Sequence, residues 1–184
     1  MNKMKESILR GAYDIFSTKP FNDVRIEDIT TAANCGKGTF YKYFASKTDC
    51  LCTLYKQMLD EIIYNLETIV SKSTPDKAID ALLEYYLNEI VNNKHIVRVF
   101  LYESVSLGSQ FLELLILAKH EYTKLYYKAV KLYNPDANNE TLELQTDLIF
   151  SMVVNFCYFN SIDDDVTISH FTKQLTYILN KCKI

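Results

Sequence analysis

The chain has 184 residues, of which 48% are hydrophobic, and a formal net charge of −3, so it has enough apolar material for one sizeable core or two small ones and is not a disordered polymer. Only four Gly and three Pro are available for turns, and apolar residues recur at intervals of three and four, which predicts an all-α protein. Five cysteines without a C-x-x-C spacing, and three scattered histidines, argue against a disulfide framework and against a metal site; no cofactor is implied.

In chain order, the first helix is expected over residues 3–18, with Ile8, Ala12 and Phe16 on one face. The N-terminus lacks the apolar stretch of a signal peptide, and the longest apolar run, Ile149 to Phe159, falls far short of the roughly 20 residues of a membrane span. A cytoplasmic protein is the expectation. Ile26, Ile29 and Ala33 repeat at helical spacing in a segment from Arg25 to Ala33, followed by the break Asn34-Cys35-Gly36. Asn tolerates the left-handed conformation and Gly is permissive, so two short helices can meet there at a sharp angle, as a helix-turn-helix.

The second of these helices is predicted over Lys37-Gly38-Thr39-Phe40-Tyr41-Lys42-Tyr43-Phe44. At about 100° per residue, Phe44 lies about 40° from Phe40, so the two rings form one buried stripe. Gly38, Thr39 and Lys42 then point away from the stripe, Lys37 opens the helix, and Tyr41 and Tyr43 fall on opposite flanks, each with a polar tip on an apolar ring. A helix of this kind enters the major groove with its N-terminal residues near base edges; lysines meet phosphate or guanine, glycine permits close backbone approach and threonine offers a hydroxyl and a methyl. Ser46 with Asp49 reads as a variant capping box opening the next helix, whose N-terminus, with Lys47 in its first turn, suits an anion.

The charge supports this reading once it is divided. Residues 1–47 hold eight basic and five acidic side chains, a balance of +3, whereas the remainder holds twelve and eighteen, a balance of −6. Phosphate attraction is thereby confined to one end.

These residues give the chain a family resemblance. The Ile8/Ala12/Phe16 helix, Phe21, Asp28-Ile29 with Ala32-Ala33, the octet Lys37 to Phe44, and Ser46-Lys47 followed by Leu51 resemble the TetR family of bacterial transcription regulators, in order, spacing and residue type, over about the first third of the chain. The resemblance implies that Lys37, Gly38 and Thr39 lie at bases, that Tyr41, Tyr43 and Lys47 hold phosphates, and that Lys42 is near either. Two positions depart from the family pattern. Arg25 stands where the family usually has Thr, and Gly36 where it has Ser or Thr. Arg25 offers a charge-assisted phosphate contact in place of a hydroxyl, whereas Gly36 offers no side chain to cap the helix.

The Ser46 helix is expected to run to about Ser71, and Ser73-Thr74-Pro75 breaks the chain. Further helices are predicted over about 76–92, 95–106, 109–133, 140–162 and 165–182, nine in all. We divide the chain into a DNA-binding domain, residues 1–47, and a regulatory and dimerisation domain, residues 48–184. Because Ile149 to Phe159 is apolar on nearly every side, that helix needs cover from a second chain, with Met152, Phe156, Phe159, Phe171, Leu175 and Ile178 as the expected interface. A homodimer would read a palindromic double-stranded operator with two heads one turn apart.

The body carries most of the fourteen tyrosines, a mixture of apolar faces and hydroxyls suited to a small, mostly apolar effector. The candidate contacts are Tyr85, Tyr86, Phe100, Tyr102, Tyr122, Tyr126 and Tyr158, with Glu103 and Asn155 as polar points. The resemblance implies a repressor whose effector tilts the helix beginning near Lys47 and spreads the two heads; about 3 kcal/mol of coupling weakens DNA binding more than a hundredfold. A rival reading keeps the fold but has the body bind a protein or peptide, as a co-regulator. An enzyme has little support, since there is no nucleophile motif, metal spacing or glycine-rich phosphate loop.

Overall fold

The computed structural model describes residues 2–102 and 107–160 and, in the last segment, residues 171, 173–175, 177 and 178. Eight α-helices and one 3-10 helix are found among them, with no strand. They are α1 (Lys3–Phe16), the 3-10 helix Phe21–Asp23, α2 (Ile26–Ala32), α3 (Lys37–Tyr41), α4 (Lys47–Lys72), α5 (Ala78–Asn92), α6 (Lys94–Tyr102), α7 (Ser109–Tyr133) and α8 (Asn139–Asn160). The predicted helix over 165–182 lies largely outside the described residues. The 3-10 helix was not legible in the sequence, because three residues are too few to carry a periodicity.

The chain forms two compact units, and the division differs from the one expected at residue 47. The first comprises residues 1–60 and 93–115, the second residues 61–92 and 116–184. The difference arises because α6 and the start of α7 return to the N-terminal helices and complete their core, so α4 belongs to both units. This core includes Ile8, Ala12, Phe16, Ile29, Phe40, Phe44 and Leu51 together with Ile96, Phe100 and Phe111 from the later segment.

Local chemistry explains how the helices of the first unit begin and cross. The Asn2 side chain caps α1, its Oδ1 accepting from the Met4 N–H at 3.0 Å. Gly11 lies where α1 meets α2: a Cβ there would stand 3.0 Å from the Ala33 nitrogen and 3.1 Å from the Ile29 oxygen. Only glycine permits this approach without a shift of backbone. The Tyr13 hydroxyl donates to Asn93 Oδ1 at 2.7 Å, fastening α1 to the residue before α6.

In the second unit α5 packs against α8. Its core holds Leu66, Leu82, Leu83, Leu87, Tyr122, Tyr126, Ile149 and Phe156. Asn65 Nδ2 donates to the Tyr85 hydroxyl at 2.7 Å, tying α4 to α5. No helix among the described residues is long and apolar enough to cross a membrane.

Candidate nucleic-acid interface

The expected turn is present between α2 and α3. Asn34 takes a left-handed conformation, φ 51°, and the Cys35 N–H donates to the Thr30 oxygen at 2.9 Å. α3 then begins at Gly36, whose oxygen accepts from the Thr39 and Phe40 N–H groups. Its first helical residues are Lys37 and Gly38. The α-helix ends at Tyr41 rather than Phe44, because Lys42 and Tyr43 donate to the oxygens of Thr39 and Phe40, three residues back, and tighten the last turn.

The apolar stripe is as the spacing requires. Phe40 and Phe44 are buried, with ring centroids 5.5 Å apart, and this fixes which face of α3 is outward. Lys37, Gly38, Tyr41 and Lys42 are exposed, and Thr39 and Tyr43 are half-buried. Tyr41 stands edge-on to Phe40 with over half its surface in solvent, whereas Tyr43 packs against the core. Neither Gly36 nor Gly38 has an atom within 4 Å of where a Cβ would lie, so internal packing does not demand either glycine.

Arg25 precedes α2 with an exposed side chain; its backbone N–H donates to Asp28 Oδ2 at 2.9 Å. That bond, and Lys19 at 3.4 Å from the same carboxylate, hold the Asp28 pKa below the usual carboxylate value. Lys37 forms an ion pair with Glu27, which the sequence reading missed. The hydrogen bond from Lys37 lowers the Glu27 pKa. Nothing in local spacing signals this pair, since the two residues sit on different helices.

Lys47 is placed differently from the expectation. Its Nζ donates to the oxygens of Phe21 at 2.5 Å and Val24 at 2.8 Å, and lies 4.2 Å from the centroid of the Phe21 ring. The ammonium therefore ties α4 to the segment leading into α2. The capping box beside it is present in shifted form: Ser46 Oγ accepts from the Asp49 N–H at 3.0 Å, and Asp49 Oδ2 accepts from the Ala45 N–H at 2.8 Å.

The effector candidates separate. Phe100 belongs to the core of the first unit, its ring 4.5 Å from Tyr55 and 5.8 Å from Phe111, and Tyr102 is exposed in that same unit. Tyr86, Tyr122 and Tyr126 meet in the second unit. The Tyr86 and Tyr122 rings are 4.8 Å apart, Tyr86 hydrogen-bonds Cys157, and Tyr126 is buried with a hydroxyl that has no hydrogen-bond partner among the described residues. Burial raises the Tyr126 phenol well above its usual pKa and pushes the Cys157 thiol up to about 12. Cys157 was missed because a lone cysteine in an apolar run reads as plain core.

Asn155 is exposed, as is Tyr158, so Asn155 is not a polar point inside the apolar body; Glu103 lies outside the described residues. The buried polar residues on α8 are instead Gln145 and Thr146. A cavity of about 540 Å³ between α4 and α7 is lined by Val70, Leu125, Tyr127 and Lys131 among others, and by none of the described effector candidates.

α8 is also less uniformly apolar in place than its composition suggests. Phe156 and Leu175 are buried within the one chain, and the Phe156 and Phe171 rings lie 4.5 Å apart. Their apolar surface is already covered, so they do not form an open seam. Met152, Phe171 and Ile178 are half-buried, and the side chain of Phe159 lies outside the described residues. Among the described side chains of α8, the large apolar ones left exposed are Leu144, Val154 and Tyr158.

Comparison with known proteins agrees with this arrangement. Residues 8–52 match the family model described as bacterial regulatory proteins, tetR family. The chain is 30% identical over 95 residues to the transposon Tn10 TetC protein of Escherichia coli, and 28% identical over 95 residues to the HTH-type transcriptional regulator YwcC of Bacillus subtilis. The matches take in 51% and 46% of this chain, and the chain spans only 48% and 43% of those proteins' lengths. Among solved structures, a TerR/AcrR-family regulator of Aquifex aeolicus superposes with a TM-score of 0.74 at 21% identity, over 96% of this chain and 98% of that one. The regulator FadR of Bacillus subtilis, solved in complex with stearoyl-CoA, gives 0.80 at 14% identity, over 95% and 96%. At these identities the structural matches establish the fold, and the family match is carried by residues 8–52, which form a helix-turn-helix domain of the kind described for the tetR family of bacterial regulatory proteins.

Proposed function

We propose that the protein is a homodimeric cytoplasmic repressor that binds a palindromic operator and leaves it when a small, mostly apolar effector occupies the second unit. The observation that carries the DNA reading is the outer face of α3, where buried Phe40 and Phe44 leave Lys37, Gly38, Tyr41 and Lys42 exposed. In this reading Lys37, Gly38 and Thr39 face base edges, Tyr41, Tyr43 and Arg25 meet phosphates, and Lys42 reaches either. Lys47 acts indirectly by holding the segment before Arg25.

The effector reading rests on the aromatic cluster of Tyr86, Tyr122 and Tyr126 beside Cys157, in which the Tyr126 hydroxyl is a buried polar point. The FadR neighbour solved with stearoyl-CoA supports an apolar ligand for a body of this fold. Dimerisation is supported by the exposed Leu144, Val154 and Tyr158 on α8. Sequence-independent attraction to phosphate is the first thing to test. Fluorescence anisotropy with a duplex spanning the protein's own promoter, titrated with salt, is expected to give a slope of log K against log salt of roughly −5 to −7, for six to eight neutralised phosphates per dimer. A flat response overturns the proposed docking.

A further inference from the structure

Within the first unit, a cavity of about 410 Å³ lies between the C-terminal end of α1 and α6. Its lining is Phe16, Ser17, Thr18, Lys19 and Pro20 from one side, and His95, Arg98, Val99 and Tyr102 from the other. The second set falls at intervals of three, one and three, so it forms a single stripe of α6. Among the described residues no acidic side chain lines the cavity, whereas Lys19, Arg98 and His95 all do.

The polar groups are not consumed by the fold. Lys19 shares the Asp28 carboxylate at 3.4 Å and remains substantially exposed. Arg98 and His95 are exposed and make no ion pair or hydrogen bond among the described residues. Ser17, in the wall of the cavity, has a buried hydroxyl oxygen with no hydrogen-bond partner among the described residues. An orphaned buried hydroxyl is unusual and is satisfied when a ligand or water supplies the missing bond. Phe16 and Val99, both buried, together with Pro20 and the Tyr102 ring, add apolar surface.

We propose that this cavity is a binding site for a small organic anion, a carboxylate or phosphate monoester on a flat apolar body. The guanidinium of Arg98 takes the anionic group in a two-pronged charge-assisted contact, with His95 and Ser17 as further donors and the apolar wall holding the body. The site is built wholly from residues of the first unit and differs from the aromatic cluster of the second. It does not depend on the repressor reading.

The test uses the full-length protein, with benzoate and phenyl phosphate as probes and benzamide as the neutral control. Histidine ring resonances are followed by NMR, His95 being assigned by the signal lost in His95→Gln. Both anions are expected to shift the His95 signal saturably at one per chain, and benzamide to leave it unmoved. Arg98→Gln, an exposed substitution that leaves the core intact, should weaken both anions at least about tenfold, as expected for a lost charged hydrogen bond. The proposal is overturned if the shift never saturates, if benzamide matches benzoate, or if Arg98→Gln binds as the parent does.

Discussion

Gly38 is the position at which fold and function make opposite demands. It is the second residue of α3, and a Cβ there would meet nothing within 4 Å. Alanine is the better helix former by about 0.8–1.0 kcal/mol in a helix interior, and about half of that is a fair figure this close to the helix start. Gly38→Ala should therefore stabilise the protein by about 0.5 kcal/mol and raise Tm by about 1–2 °C for a chain of this size. If Gly38 faces a base edge, the added methyl keeps the backbone from its contact distance. Operator affinity should then fall at least about tenfold, or about 1.4 kcal/mol. No charge is altered, so the salt slope should not change. Thermal denaturation followed by circular dichroism, and anisotropy titrations at fixed salt, measure the two sides separately. Unchanged affinity in a stabilised variant would refute the placement of Gly38 at DNA, and a Tm several degrees lower would refute the open space around it.

The remaining expectations concern how the reading head is held together. Lys47→Met removes two charged hydrogen bonds and the contact with the Phe21 ring; discounted for partial exposure, the loss is about 1–2 kcal/mol in urea denaturation, with the salt slope of DNA binding unchanged. A slope shallower by about one with stability intact would instead make Lys47 a phosphate ligand. Gly11→Val drives a branched side chain into the backbone of α2 and should cost at least about 2 kcal/mol, read from the same denaturation experiment. Asp28 has a folded pKa below its unfolded value, so its stabilisation is fully present above the unfolded pKa and is lost as pH falls through the folded one. Asp28→Asn should accordingly flatten the acid limb of stability below about pH 4, and urea midpoints that fall as steeply as those of the parent would count against the assigned bonds.

Much of the architecture can be read from the chain because its causes are local. The break at Asn34-Cys35-Gly36 and the burial of Phe40 and Phe44 follow from backbone preference and helical period, and the structure has both. Ser46 and Asp49 predict a capped helix start, and the cap is there with its second bond moved to Ala45. Readings based on composition leave more undecided. The run from Ile149 to Phe159 predicts a helix that needs cover on every side, and within the one chain Phe156 is buried while Val154, Asn155 and Tyr158 are exposed. A list of residue types does not state how a helix is rotated against its neighbours.

By itself, the sequence determined the all-α class, the helix-turn-helix, the outward face of α3 and the concentration of positive charge near the N-terminus. Periodicity, turn chemistry and charge count act over a few residues, so no distant partner is needed to see them. Tertiary structure alone decided that Lys47 reaches back 26 and 23 residues to two backbone oxygens, that Lys37 meets Glu27, and that Phe100 joins the core of the first unit. It also set Arg98 and His95 opposite Ser17. Long side chains take whichever partner the packed helices bring within reach, and that pairing exists only after the chain has folded.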